Sequence, residues 1–354
     1  MSNIIKPPPE SSASPGPMRY TTEVVQQTRV QLILHTYQDI LHRLLRSPAV
    51  WVFSGIWVLS VLTLALTGYL EYMLGAVGCL GIALFIGLVS VALTAHAPAQ
   101  APSTEQTQAP TFGRKWLWAQ LAVLLIFLIF TGFRVVIGNY PAATWLAQLP
   151  LVGPLAVFTL KLPFLAGNSA LNALLHPLTP NPQLAVTYIL MNLTLYVVFP
   201  LLALLLLRAR LSELGFGRGY RSWTVLAVVC FLPIVALLVN LASGPGTLGI
   251  LSISFVYNLL VAGFPEEVFF RGALLTRLSR LWGSEWGVVL STLVFGLWHF
   301  GLTMRNTNGN ILAAIALSIA LQGMIGLWFA ILFVRTRNLL APVVVHTLWN
   351  VLGL

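Results

Sequence analysis

The sequence predicts an all-α fold: a polytopic bundle of about eight or nine transmembrane helices with interfacial helices beside it. The first observation is composition, because 58% of the residues are hydrophobic and only 8% are charged, whereas a soluble domain has about 25% charged residues. The second is a series of apolar stretches of about 20 residues, the length with which an α-helix crosses the hydrocarbon core. We therefore expect an integral, multi-pass membrane protein.

The first part of the chain is polar and is predicted to remain in the cytoplasm over residues 1–47. Residues 1–20 are rich in Pro and Ser, which favours disorder. Residues 21–47 have an amphipathic pattern that predicts a helix lying on the membrane surface. The next segment, 48–94, is predicted to be a two-helix transmembrane extension, with spans at 48–70 and 72–94.

A low-complexity linker is predicted over residues 95–115, and the remaining chain, 116–354, is predicted to form the membrane core. Residues 139–183 are apolar but contain seven prolines, which are incompatible with a straight helix. Short interfacial or re-entrant helices are the expectation there. The predicted core spans are 116–138, 184–207, 223–242, 249–272, 287–302, 311–334 and 339–354.

The formal net charge of +10 is compatible with nucleic-acid binding, but the arrangement of the basic residues argues against a nucleic-acid partner. They alternate between loops, so that 15 of 19 Lys and Arg residues fall on one side of the nine predicted spans. The positive-inside rule then predicts a cytoplasmic N-terminus, and we expect a bacterial-type plasma (inner) membrane. The lipid bilayer, not nucleic acid, is the partner that this pattern indicates.

Few acidic residues are predicted to lie within the membrane, where an ionisable group costs several kcal/mol unless it has a partner. Glu266 and Glu267 are adjacent in the sixth predicted span, and Arg271 follows four residues after Glu267. Residues four apart share a helix face, so Glu267 and Arg271 are predicted to pair. Glu266 points about 100° away from Glu267 and is available to face another helix.

The following spans carry His299, His346 and Asn350, the last two being one helical turn apart. Glu266 and His299 each lie 14 residues from the nearest predicted cytoplasmic turn, Asn350 lies 13 and His346 nine. Straight helices rise about 1.5 Å per residue, so all four side chains would lie about 14–21 Å deep. We therefore expect three helices to deliver them into one pocket.

These side chains suit the hydrolysis of an amide by activated water. A carboxylate in an apolar site is a usable general base, and Glu266 could take a proton from a water molecule that His299 orients. His346 and Asn350 offer N–H donors for a developing oxyanion. Arg271 would keep Glu267 ionised, although a purely structural Glu267–Arg271 pair is equally compatible with the sequence.

Other proteolytic chemistries find no support in the sequence. An aspartic protease needs two aspartates on facing helices, but the chain has a single Asp, Asp39, in the N-terminal segment. The His-Glu-x-x-His motif of zinc proteases is absent, as is a Gly-x-Ser-x-Gly nucleophile motif in these spans.

At these residues the sequence resembles the CPBP family of intramembrane proteases, which includes the CAAX prenyl endopeptidases and the bacteriocin-processing and abortive-infection proteins. The family motif Glu-Glu-x-x-x-Arg matches Glu266, Glu267 and Arg271. Phe-x-x-x-His matches Phe295 and His299, and His-x-x-x-Asn matches His346 and Asn350. The ordered set is specific, whereas each motif alone is weak. It lies within 260–350.

The resemblance implies an intramembrane endopeptidase that cuts a peptide or a membrane-anchored protein. Glu266 and His299 would activate the water, and His346 and Asn350 would form the oxyanion hole. Glu267, Arg271 and Phe295 would support them. No metal or other cofactor is expected. Two alternatives stay open: a non-catalytic adaptor or immunity protein on the same fold, and a proton-coupled transporter, which the lack of an inverted repeat disfavours.

Overall fold

The computed structural model describes residues 22–95, 113–139, 173, 175–178, 182–243 and 247–352. Within these ranges the chain is helical and contains no β-strand, which confirms the predicted all-α bundle. The predictions of disorder at 1–20, of most of the linker at 95–115 and of interfacial helices at 139–183 fall largely or wholly outside the described residues.

Three helices precede the core. The amphipathic segment forms α1, Thr22–Arg46. It is followed by α2, Pro48–Leu66, and α3, Leu70–Thr94, as the two apolar stretches predict. The turn between α2 and α3 contains Gly68, whose φ of 86° lies in the left-handed region that glycine adopts without strain.

The described residues between 113 and 243 form four longer helices and a short 3-10 turn, Leu211–Leu214. Helix α4 is Arg114–Asn139, and α5 runs over residues 182–206 without a break. Helices α6, Ser222–Val229, and α7, Phe231–Ser243, are bent by 42° relative to each other. The predicted span 223–242 is therefore a broken one, with Pro233 three residues into α7.

The last five helices, with the turn residue His299 between two of them, carry all the predicted site residues. They are α8 (Leu248–Trp282), α9 (Ser284–Trp298), α10 (Phe300–Asn306), α11 (Ile311–Thr336) and α12 (Leu340–Leu352). Six helices of the described chain are long and apolar enough to span a membrane, and eight if each bent pair counts as one span. The ninth predicted span, 339–354, corresponds to α12, whose 13 residues are fewer than the about 20 that a straight span needs.

The predicted span 287–302 is not straight, because α9 and α10 meet at an angle of 50° at His299. The backbone N–H of His299 bonds to the Gly296 carbonyl at 3.0 Å, three residues back. The ring Nδ1 of His299 instead bonds to the Phe295 carbonyl, the acceptor that a regular α-helix would use for the backbone N–H. The bend follows Ser284–Trp298, the helix along which the depth of His299 is counted, so it changes the path of the chain only after His299.

Close helix contacts bring the site helices together. A Cβ atom on Gly263 of α8 would lie 2.2 Å from Thr347 Oγ1 of α12, and one on Gly296 of α9 would lie 2.4 Å from the Ser318 carbonyl of α11. Neither contact tolerates a larger residue. Small residues allow helix backbones to approach closely in membrane bundles, so α12 and α11 pack directly on the helices that carry Glu266 and His299.

The two-helix extension packs against the core. Indole N–H groups join them: Trp328 of α11 donates to the Cys79 carbonyl of α3 at 2.9 Å, and Trp57 of α2 donates to the Ala320 carbonyl of α11 at 3.0 Å. The hydroxyl of Tyr69 donates to the Thr307 carbonyl at 2.8 Å. These bonds fix α2 and α3 over α11.

Candidate active site

Glu266 and Glu267 lie in a short α-helical turn of α8, Phe264–Glu267, between two π-helical stretches, Leu259–Gly263 and Val268–Leu275. π-helical insertions shift the direction of the following side chains and occur often at functional sites. Glu266 is 6% exposed and Glu267 is completely buried. Both carboxylates therefore need partners inside the protein.

Arg271 pairs with Glu267 as the four-residue spacing predicts. Its Nη1 lies 3.0 Å from Glu267 Oε1, and Nη2 donates to the Gly326 carbonyl of α11 at 2.8 Å. The guanidinium is fully buried between aromatic rings, with its Cζ 4.3 Å from the centre of the Phe295 ring and 5.1 Å from that of Phe329. Arg271 thus joins α8 to α9 and α11.

His346 also bonds to Glu267, a contact that the sequence does not predict. Its Nδ1 lies 2.9 Å from the same Glu267 Oε1 that binds Arg271. A carboxylate only accepts hydrogen bonds, so Nδ1 carries the proton and donates it. The imidazole also stacks on Phe329, with ring centres 4.5 Å apart. Glu267 and Phe329 therefore fix the orientation of His346.

His299 is held in a similar way from α9. Its Nδ1 donates to the Phe295 carbonyl at 2.9 Å, since a carbonyl oxygen can only accept. The Phe295 and Trp298 rings pack against the imidazole, with centres 4.7 and 4.9 Å away. Phe295 thus supports His299 both by its carbonyl and by its ring.

The outer nitrogens of both histidines face Glu266. Glu266 Oε2 lies 4.0 Å from His299 Nε2 and 3.9 Å from His346 Nε2, and it makes no hydrogen bond to the described part of the chain. These separations are too long for direct hydrogen bonds, and the three groups could share a water molecule bound beside them.

A cavity of about 240 Å³ opens beside these groups. It contains all four residues predicted to be catalytic, and Asn350 joins it one helical turn beyond His346. The structure thus brings the three predicted helices together around one pocket. The lining residues are Glu266, Phe295, His299, Leu302, Gln322, Ile325, His346, Trp349 and Asn350.

A second buried polar group lies behind the pocket. Both terminal nitrogens of Arg134 on α4 donate to Asn192 Oδ1 of α5, at 3.1 and 3.0 Å, and Asn192 donates to the Val261 carbonyl just before the Glu266 turn. Arg134 also interacts electrostatically with Glu266. Arg134 is notable in the sequence because it is an arginine within the predicted span 116–138. The sequence does not reveal that it lies near Glu266, because the two residues are far apart along the chain.

Metal binding requires several donor side chains at coordinating distances. Among the residues that the structure describes, no group of three or more His, Cys, Asp or Glu side chains is arranged to hold a metal ion. Function without a metal remains a prediction.

Comparison with known proteins matches the C-terminal part of the chain. Residues 248–352 match the sequence model described as type II CAAX prenyl endopeptidase, Rce1-like. Human CAAX prenyl protease 2 is 32% identical over 102 residues, which are 27% of this chain. The matched region spans only 31% of the human protein. No solved structure matches the chain.

Proposed function

Because residues 248–352 match the model of the Rce1-like CAAX prenyl endopeptidases, we propose that this chain is a membrane endopeptidase that hydrolyses a peptide bond with an activated water molecule. The observation that carries the proposal is the position of Glu266 Oε2, which has no direct hydrogen bond to the described chain and is about equally far from both histidine Nε2 atoms. A nucleophilic water at this point could be contacted by all three side chains.

Glu266 is proposed as the general base. Neutral His299 carries its proton on Nδ1, so its Nε2 atom can accept a hydrogen bond. This Nε2 atom faces Glu266. A water molecule between them can donate one hydrogen to Glu266 and the other to His299. Its oxygen lone pair is then directed into the cavity, towards the carbonyl carbon of a bound peptide.

Asn350 and His346 are proposed to stabilise the oxyanion. The Asn350 carboxamide supplies N–H donors directly. His346 in its neutral form presents an unprotonated Nε2, so it can donate to the oxyanion only after Glu266 has passed to it the proton taken from the water, across the 3.9 Å between Glu266 Oε2 and His346 Nε2. The Glu267 carboxylate on its Nδ1 stabilises that imidazolium, as a buried carboxylate does in other hydrolases. The return of this proton to the departing amine would complete the hydrolysis.

The proposed substrate is a peptide or membrane-anchored protein that reaches the cavity from the bilayer or its surface. The name of the human relative, CAAX prenyl protease 2, points to a substrate with a C-terminal CAAX sequence and a prenyl group. The basic loops support a cytoplasmic N-terminus.

Cleavage by the purified protein in proteoliposomes tests the proposal. Synthetic peptides with a C-terminal Cys-aliphatic-aliphatic-X sequence are compared with and without farnesyl on the cysteine. Glu266→Gln is expected to lower kcat at least about 10³-fold, because the amide cannot accept the proton. The control is Glu71→Gln, which makes the same change at an exposed position at the start of α3.

Retained cleavage in Glu266→Gln would refute the role of general base. If Glu266→Gln and His299→Ala both restore the wild-type phenotype to a strain that lacks the gene, the protein acts as a non-catalytic adaptor instead. Proton-coupled flux that disappears with Glu266→Gln would indicate a transporter.

A further inference from the structure

A glutamine faces the cavity from a helix that contributes none of the motif residues. Gln322 lies in α11, is partly exposed and lines the same cavity as Glu266, His299 and Asn350. No described residue hydrogen-bonds its side chain. A polar side chain in a membrane-spanning helix is costly without a partner, and the Gln322 carboxamide faces the cavity, where it is available to a bound ligand.

The position of Gln322 is fixed by its helix. It belongs to a π-helical stretch, Ser318–Gly323, that is anchored at one end by a 2.7 Å hydrogen bond between the Ser318 and Thr303 hydroxyls. Ile325 lies three residues after Gln322, and Phe329 lies one α-helical turn after Ile325 on the same face. Ile325 lines the cavity and Phe329 stacks on His346, so this face of α11 is directed at the site.

The other polar groups of the cavity already have proposed tasks. Glu266 and His299 contact the water, and His346 and Asn350 stabilise the oxyanion. The remaining wall includes the apolar side chains of Leu302 and Ile325 and the largely apolar ring system of Trp349. A peptide that enters such a cavity loses hydrogen bonds between its backbone and water, and each unpaired backbone group is costly in an apolar site.

We propose that Gln322 binds the main chain of the peptide substrate, by pairing its carboxamide with the backbone N–H and C=O of one extended residue next to the scissile bond. The carboxamide oxygen accepts from the peptide N–H and the carboxamide nitrogen donates to a peptide carbonyl, so recognition is independent of the substrate's side chains. This inference rests on the proposed function, since it concerns the substrate of the same site. Gln322 would position the substrate without taking part in proton transfer.

The experiment compares Gln322→Leu with the wild type, using the farnesylated peptide in proteoliposomes. Loss of a binding contact that is present in both the ground state and the transition state raises KM and leaves kcat unchanged. We expect KM to rise about tenfold, the effect of a hydrogen bond lost from a desolvated site, with kcat within about twofold of wild type. Leucine is similar in size and better suited to an apolar helix, so the variant should fold.

Two further measurements separate this inference from the proposed function. Peptide binding is measured directly to Glu266→Gln and to the Glu266→Gln/Gln322→Leu double variant, so that affinity is obtained without turnover. A series of peptides, each N-methylated at one backbone amide, identifies the contact. One of them should bind to Glu266→Gln about tenfold more weakly than the unmethylated peptide. The same N-methyl group should cause no loss of affinity in the double variant, which already lacks the contact.

Gln120→Leu is the matched control. Gln120 is the glutamine of α4; it accepts from Arg277 Nε at 2.9 Å and donates to the Leu207 carbonyl at 2.8 Å, and it does not line the cavity. Its loss should lower thermal stability and leave KM unchanged.

The inference is overturned if Gln322→Leu leaves both KM and peptide affinity unchanged, or if it lowers kcat at constant KM. If the wild-type protein neither cleaves nor binds the peptide, both the inference and the proposed function are overturned. If it binds the peptide without cleaving it, only the proposed function is contradicted.

Discussion

A single oxygen atom of Glu267 binds both Arg271 and His346. Its Oε1 accepts from Arg271 Nη1 at 3.0 Å and from His346 Nδ1 at 2.9 Å. The first partner lies one turn along the same helix, and the second lies on α12. Glu267 therefore does more than neutralise a buried arginine, because it also sets which nitrogen of His346 carries a proton.

Removal of either member of the Glu267–Arg271 pair is expected to destabilise the fold strongly. Both side chains are fully buried, and loss of one partner leaves an uncompensated buried charge, at a cost of about 3–5 kcal/mol. Glu267→Leu and Arg271→Met should each lower the thermal unfolding midpoint in detergent markedly.

The Glu267→Leu/Arg271→Met double variant should recover much of that stability, since no charge remains unpaired. It should nevertheless be almost inactive, because His346 has lost the carboxylate that orients it. Equal destabilisation by the single and double variants would contradict the pairing, and full activity of the double variant would contradict the role of Glu267 in positioning His346.

Arg134 is expected to support Glu266 through its charge. Glu267 has Arg271 as its counter-ion, whereas Glu266 has no cationic Lys or Arg within ion-pair distance in the described chain. Arg134 is held on Asn192, a neutral partner, and interacts electrostatically with Glu266. Arg134→Met should therefore lower kcat/KM about tenfold, which corresponds to about 1.4 kcal/mol.

Arg134→Lys is the informative comparison, because it keeps the charge and loses the two-nitrogen contact with Asn192. It should restore most of the activity if charge is what matters. The control Arg280→Met removes a partly exposed arginine that pairs with Glu213, far along α8 from the site, and should retain wild-type kcat/KM. Equal losses in Arg134→Met and Arg134→Lys would show that the hydrogen-bond geometry matters, not the charge.

Function without a metal is a separate prediction. Incubation of the purified protein with a strong chelator, followed by its removal, should leave the cleavage rate unchanged if Glu266 and His299 activate the water by themselves. Metal content measured on the same sample provides the control. Loss of activity that is restored by one divalent cation would contradict this prediction and assign Glu266, His299 and His346 as candidate ligands.

The parts of the site that follow from helix geometry could be predicted from the sequence. The Glu267–Arg271 pair needs only a four-residue spacing, and Asn350 follows His346 by one turn. Depth along the helices predicts that the three meet, and the 50° bend at His299 does not affect this count because it comes after Ser284–Trp298. Helix α9 brings His299 to the site because α9 and α11 approach closely at Gly296.

Contacts that depend on how helices rotate against each other could not be predicted. The Glu267–His346 bond joins α8 to α12, and the Arg134–Asn192–Val261 chain joins α4, α5 and α8. π-helical stretches such as Leu259–Gly263 and Ser318–Gly323 shift the side-chain directions within these helices, and sequence periodicity alone does not reveal them.

The N-terminal helices are expected to be needed for stability. Of the six long helices, α11 is the most buried, and α3 and α2 provide part of its cover through the bonds to Trp328 and Ala320. Trp328 in turn packs edge-on against Trp349 in the cavity wall, with ring centres 4.8 Å apart.

A chain without residues 1–95 loses the partners of α11 and should have a lower unfolding midpoint and weaker peptide binding. A chain that lacks only residues 1–21, which precede α1, is the control and should match wild type. Unchanged stability of the larger deletion would show that α2 and α3 are dispensable for the core.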